Sequence, residues 1–219
     1  MRFEDRILFE ETNFSYVNPH AQVVLVGITP GNSQLKGSRE GKSDAEIKKE
    51  NAFAGNMRKP LISMLDSIGI NGLLGIASCE SLWGDDFNKI EMTSLLKEAT
   101  YILKKDGTKE MFKDTKKIAK SAKLTQMLHE GFVADCENYK KARLFVACGP
   151  NVYSVLEDLQ KQNLIQVPIV AIAHPSGANA GRISCYLGNK EPKDASYEWC
   201  VAQAEKAKQV VAELIASSI

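Results

Sequence analysis

The 219-residue chain carries 28 Lys plus Arg against 27 Asp plus Glu, with 44% of its residues hydrophobic and 25% charged. That balance excludes a largely disordered chain and a polyanion binder driven by net charge alone, so any affinity for DNA must come from local clustering. Cys79, Cys136, Cys148, Cys185 and Cys200 are odd in number and contain no CxxC pair, which argues for reduced thiols rather than a disulfide frame.

In chain order, the first eleven residues, MRFEDRILFEE, place acids where a secretory leader needs an apolar run. No later segment approaches the roughly 20 apolar residues of a membrane span, so a cytoplasmic location is expected, or a nuclear one in a eukaryote. Short apolar runs bounded by Gly or Pro at residues 23–26, 73–77, 144–148 and 169–173 predict four strands. Helices are predicted between them. Residues 43–50 open with the capping box Ser43 and Glu46, and residues 60–68 start at Pro60 and stop at Gly69. A third helix follows Gly149-Pro150 over residues 151–162. Cys200, Ala204, Ala207, Val211 and Leu214 recur at helical spacing along a C-terminal helix whose face should pack on the sheet. Residues 97–123 form a lysine-rich insertion, in which a solvated face is the ordinary outcome and a phosphate-tracking stripe the alternative.

Strands that are nearly continuous in apolar residues and alternate with helices predict an α/β fold: one three-layer domain over residues 1–219, with a central four-stranded parallel sheet and helices on both faces. Ligands of such sheets bind outside the carboxyl ends of the strands. Two loops should emerge there. The first reads Gly27-Ile28-Thr29-Pro30-Gly31-Asn32-Ser33, and it has neither GxGxxG spacing nor a terminal GK[ST], which removes the main support for a nucleotide cofactor. The second reads His174-Pro175-Ser176-Gly177 and places one of only three histidines at a strand end. A histidine there serves a structural hydrogen bond about as often as a chemical role.

A strand ending in GxxPG near the N-terminus and one ending in HPS near the C-terminus resemble the uracil-DNA glycosylase superfamily, whose first motif varies among GQDPY, GINPG, GMNPG and GEAPG. The stretches AFAG (Ala52 to Gly55), LISMLDSIG (Leu61 to Gly69) and LFVACGPNVYSVL (Leu144 to Leu156) resemble the GEAPG branch in the same order, so the resemblance spans roughly residues 23–183. It implies a DNA glycosylase that takes an extrahelical uracil or other deaminated base from DNA and hydrolyses its N-glycosidic bond. Charge develops on the departing base, so a donor aimed at a base oxygen stabilises the transition state selectively. By carry-over His174 is that donor and Phe53 the aromatic that stacks on the base. Gly27, Ile28 and Pro30 line the base pocket, and Ser78, at the end of the expected second strand, takes the position of the base-reading Asn, with Glu80 or Ser81 as alternatives. Ser176, Gly177, Asn179 and Arg182 form the loop that presses on DNA, Arg182 being its large cation.

The departures from the family's pattern bear on activity. Thr29 stands where active branches commonly carry Asp or Asn, and a hydroxyl orients water without acting as a base, a function typically worth about 10² to 10⁴ in rate. Ile28 stands where the GEAPG branch carries Glu. Serine at position 78 cannot reproduce the bidentate reading of uracil by an amide. The four cluster cysteines of the GEAPG branch have no N-terminal pair here, since the first cysteine is Cys79 and only Cys136 lies near a ligand position; no cofactor and no metal are expected, and His129 with Glu130 reads as a solvated pair. A non-catalytic or weakly active nucleic-acid or nucleobase-binding protein on the same fold is the competing class. A nucleotide-sugar or dinucleotide enzyme survives only if the two loops lie apart in space.

Overall fold

A computed structural model describes residues 4–12, 16–31 and 41–217. Asn32 and Ser33 of the first loop lie outside the described residues. Among the described residues seven strands form two sheets. The strands are β1 (Ile7–Glu10), β2 (Val23–Gly27), β3 (Ile90–Ser94), β4 (Ala99–Leu103), β5 (Lys109–Met111), β6 (Leu144–Cys148) and β7 (Ile169–Ile172). The central sheet has the order β3-β2-β6-β7 and every pairing in it is parallel, with Val23 opposite both Ile90 and Leu144, and Phe145 opposite Ile169. The smaller sheet, β1-β4-β5, is antiparallel.

The central sheet is buried on both faces, and β2, β6 and β7 accordingly carry apolar or small residues at odd and even positions alike. Val23, Leu25, Val146, Val170 and Ile172 point to one core, which the helices Arg58–Ser67, Ala180–Tyr186 and Ala195–Ala216 cover. Cys200, Ala204, Ala207 and Val211 of the last helix are buried there. Val24, Val26, Phe145, Ala147 and Ala171 point to the other core, covered by Val152, Leu156 and Leu159 of the helix Pro150–Lys161. Pro150 at the first turn of that helix needs no backbone partner, and its fixed φ suits the helix start. The helix Asp44–Asn51 begins at Ser43, whose hydroxyl accepts the Glu46 N–H at 3.4 Å while the Glu46 carboxylate accepts the Ser43 N–H at 2.8 Å, a cap worth about 0.5–2 kcal/mol.

One expected strand is corrected. Residues 73–77 do not pair: Ile70–Leu74 is a short helix bounded by left-handed Gly69 (φ 86°) and Gly75 (φ 63°), a backbone conformation that glycine adopts freely. The place of that strand is taken by β3, whose sequence IEMTS hides a buried Glu91. Lys48 Nζ on the helix Asp44–Asn51 pairs with Glu91 Oε1 and donates to the Tyr16 carbonyl at 2.6 Å, while Glu91 Oε2 accepts the Asn18 N–H at 2.8 Å. Both ions are 1% exposed, and a charge can stay inside only when paired and hydrogen-bonded in this way. The lysine-rich insertion contains β4 and β5, and most of its lysines, Lys104, Lys109 and Lys113 among them, are exposed as a solvated face requires. No helix among the described residues is long and apolar enough to cross a membrane.

Candidate active site at the carboxyl ends of the parallel strands

The carboxyl ends of β2, β3, β6 and β7 open on one side of the sheet, and a cavity of about 310 Å³ lies there. Gly27, Ile28, Thr29, Pro30 and Gly31 of the first loop line it together with Phe53, His174 and Ser176. The two loops are therefore neighbours, which removes the condition on which the dinucleotide alternative depended. The volume is at the lower end of small-ligand sites, about 300–1,000 Å³.

Phe53 reaches the cavity at a conformational cost. Its φ is +50°, an outlier for a bulky side chain that costs of order 1–3 kcal/mol and persists only where the surroundings impose it. The imposing contacts are visible: Trp83 Nε1 donates to the Ala52 carbonyl at 2.8 Å, and Arg58 Nη2 donates to the Glu50 carbonyl at 2.7 Å and to Ala52 at 3.4 Å. The guanidinium of Arg58 in turn stacks 5.4 Å from the Trp83 ring. Thus clamped, the Phe53 ring lies against Gly27, where a Cβ would meet the Phe53 ring at 3.9 Å and Ser94 Oγ at 3.5 Å.

His174 leaves β7 beside Gly149, whose φ is +93° and where a Cβ would meet His174 Cβ at 3.4 Å. Its Nδ1 accepts the Ser176 backbone N–H at 3.3 Å and lies 3.1 Å from Ser176 Oγ. A backbone N–H can only donate, so Nδ1 is unprotonated and the proton of the neutral ring sits on Nε2. Burial lowers the imidazole below its ordinary value of 6.5, which keeps the ring neutral at physiological pH. His174 and Ser176 also border a second cavity of about 620 Å³, lined by Gly149, Pro150, Trp199 and Cys200.

Thr29 is occupied otherwise. Its Oγ1 donates to the Glu98 carbonyl at 2.8 Å and accepts the Thr100 N–H at 2.9 Å, so the hydroxyl ties the first loop to the start of β4 and has no proton left to orient a water. Among the described residues that line the cavity there is no carboxylate, while Lys48, Lys97 and Lys113 all contribute. Each of those lysines is paired with an acid, Glu91, Asp135 and Glu110 in turn.

Ser78 is not in this site. It caps the short turn Cys79–Trp83, its Oγ donating to Asp66 Oδ2 at 2.8 Å, and with Glu80 and Ser81 it borders a separate shallow groove. The reason is the strand correction: the carboxyl end of the sheet's outer strand is Thr93 and Ser94 of β3, and these line the cavity instead. Met57, Met92, Met111 and Phe112 also line it, and nothing but their hydrophobicity marks them in the sequence. Gly177 and Ala178 are exposed, whereas Asn179 and Arg182 are half-buried and hydrogen-bonded to their neighbours. The five cysteines are free thiols, burial pushing that of Cys136 up to about 12, and no group of three His, Cys, Asp or Glu side chains placed to hold a metal occurs among the described residues.

No protein-family model matches the chain. A solved structure similar to it, wild-type SMUG2 of Pedobacter heparinus, aligns over 90% of this chain and 74% of that one at 12% identity with a TM-score of 0.43, a likeness too distant to add to the fold read from the sheet itself. The uncharacterized protein YoxB of Bacillus subtilis is 30% identical over 190 residues, covering 80% of this chain and 73% of YoxB. At that identity and coverage, the chain belongs to the same family as Bacillus subtilis YoxB.

Proposed function

We propose that the protein is a uracil-DNA glycosylase-like enzyme that receives an extrahelical deaminated base from DNA in the 310 Å³ cavity and cleaves its N-glycosidic bond. The observation that carries the reading is His174: a neutral ring whose Nδ1 is held as an acceptor, leaving Nε2–H as the remaining donor beside an aromatic ring forced into the same cavity. In the reaction the C1′–N bond breaks with its electron pair on the base, Nε2–H donates to the base oxygen as charge grows there, water adds to C1′, and the proton that water loses balances the one the departed base anion takes up. A preorganised donor of this kind stabilises the transition state more than the bound base. Phe53 stacks on the base, and Ser94 and Thr93, rather than Ser78, stand where its polar edge would be read. Exposed Gly177 and Ala178 are the part of the second loop free to press on DNA.

A second reading is favoured by a specific observation. With Thr29 committed to the fold and no carboxylate lining the cavity among the described residues, nothing described there activates water as a base, which suits a protein that binds the base without excising it. One experiment separates the two: single-turnover excision on single- and double-stranded oligonucleotides carrying uracil, hypoxanthine or xanthine. We expect excision of at least one base, lowered about 10² to 10³ in His174→Ala, the usual loss for one such donor. Retained base affinity without excision establishes the binding protein, and neither excision nor affinity overturns both.

A further inference from the structure

We propose that Asn179 and Arg182 are positioning residues that reinforce the Ser176 backbone N–H in holding the proton of His174 on Nε2. Four side chains form a continuous chain of hydrogen bonds: Arg182 Nη1 to Asn179 Oδ1 at 3.1 Å, Asn179 Nδ2 to Ser176 Oγ at 2.9 Å, and Ser176 Oγ to His174 Nδ1 at 3.1 Å. An amide, a hydroxyl and a neutral imidazole can each be turned around, so the direction of such a chain is ordinarily ambiguous. Here it is not, because a guanidinium has five donors and no acceptor. Arg182 therefore compels the Asn179 oxygen to face it, which turns the Asn179 amide N–H toward Ser176 Oγ. The serine oxygen accepts that proton and points its own hydrogen at His174 Nδ1. The Ser176 backbone N–H, at 3.3 Å, acts in the same sense.

The origin of the chain is itself anchored. Arg182 Nε and Nη2 donate to Ser196 Oγ at 3.2 and 3.0 Å, and the guanidinium lies 5.1 Å from the Tyr197 ring. Ser196 Oγ donates to Asp194 Oδ1 at 2.5 Å, and Asp194 caps the helix Ala195–Ala216. Gly181 has no Cβ to obstruct this packing, since one would meet the Tyr197 hydroxyl oxygen at 2.9 Å. The first turn of the C-terminal helix thus orients the imidazole through three intermediaries. Residues that resemblance would place on DNA serve, in this geometry, to keep the proton of His174 on Nε2. Their consequence for excision rests on the proposed function, but the tautomer does not.

The test is the ¹⁵N spectrum of His174 in the full chain without DNA, at about pH 8, where an imidazole is neutral. Wild type should show one tautomer, with the proton on Nε2. Asn179→Asp keeps the shape but replaces a donor with an acceptor, so Ser176 must turn its hydrogen away from His174. The share of the Nδ1–H form should then rise roughly two- to tenfold, the worth of one neutral hydrogen bond, with the backbone N–H still opposing it. Arg182→Glu should act likewise by inverting the amide, and Arg182→Lys, again a pure donor, should restore the wild-type ratio. Should Asn179→Asp fail to fold, the two Arg182 variants decide. A wild-type proton on Nδ1, or a ratio equal in wild type, Asn179→Asp and Arg182→Glu, overturns the proposal. A shifted ratio in a protein that excises nothing leaves the relay standing and removes the glycosylase reading alone.

Discussion

The two strand-end loops look alike in the sequence, each a short turn rich in Gly and Pro after a buried strand, with one polar residue at its heart. In the folded protein those two polar residues have opposite fates. Thr29 donates its hydroxyl hydrogen to the Glu98 carbonyl and accepts the Thr100 N–H on one lone pair, both partners lying outside the cavity. His174 has one ring nitrogen held by Ser176, and the other is a donor with no hydrogen bond to the described residues. The first loop is scaffold and the second presents chemistry. A polar side chain contributes to catalysis through the hydrogen-bonding capacity that folding leaves unused, and only the partners, not the motif, reveal how much remains.

If the first loop is scaffold, the largest effect should come from the charge buried beneath it. Burial pushes the Lys48 ammonium down and the Glu91 carboxyl up from their ordinary values, while each partner's charge opposes the shift. Lys48→Met leaves Glu91 without its counter-ion and should destabilise the fold by about 3–5 kcal/mol in urea denaturation. Adding Glu91→Leu should recover most of that loss, because replacing both ions by apolar groups is often neutral or stabilising. A single Lys48→Met protein within 1 kcal/mol of wild type, on the order of an exposed pair, would show that the pair does not hold β3 in place.

A smaller effect should mark Thr29. Thr29→Val keeps the volume and deletes the hydroxyl, taking this acceptor from the Thr100 N–H while the Glu98 carbonyl keeps the Thr100 Oγ1 donor at 3.0 Å, at a cost of about 1–3 kcal/mol in stability. The same variant, assayed below its melting range, should retain excision within about tenfold of wild type, against the 10² to 10³ expected for His174→Ala. A Thr29→Val enzyme that is stable but as inactive as His174→Ala would reverse the assignment of the two loops.

How much of this was legible beforehand follows from where the polar groups ended up. Strands β2, β6 and β7 could be read because every residue in them is apolar or small, as a sheet covered on both faces requires. The fourth could not, because the partner that allows Glu91 to be buried lies 43 residues away on a helix, a long-range pairing that no local pattern encodes. The equally apolar residues 73–77 read as that strand, yet Leu73 and Leu74 end the helix Ile70–Leu74 and Gly75 caps it, so Ser78 lies outside the site. Gly27, Phe53 and His174 were legible from the order of their motifs, and the structure brings them to one cavity. Lys48, Ser94 and the wall built by Met111, Phe112 and Lys113 were not, since the small antiparallel sheet that carries the wall assembles from strands up to a hundred residues apart.

The smallest effect expected is the acid dependence of His174, and its sign discriminates between the loops again. Burial holds the folded imidazole below its ordinary value of 6.5, so between that value and the lower folded one the unfolded chain binds a proton that the native state refuses. Stability from this group is fully present above pH 6.5 and declines as pH falls through the window beneath it, by at most about 1.4 kcal/mol per pH unit. Excision should follow the same group: Nδ1 can take a proton only by losing the Ser176 N–H, so activity should be level above pH 6.5 and fall on the acid side alone. Comparing wild type with His174→Gln in urea at several acidic pH values isolates the contribution. An equal slope in both proteins, or an activity limb lying above pH 6.5, would mean that His174 is not the neutral donor, and the second loop would then join the first as scaffold.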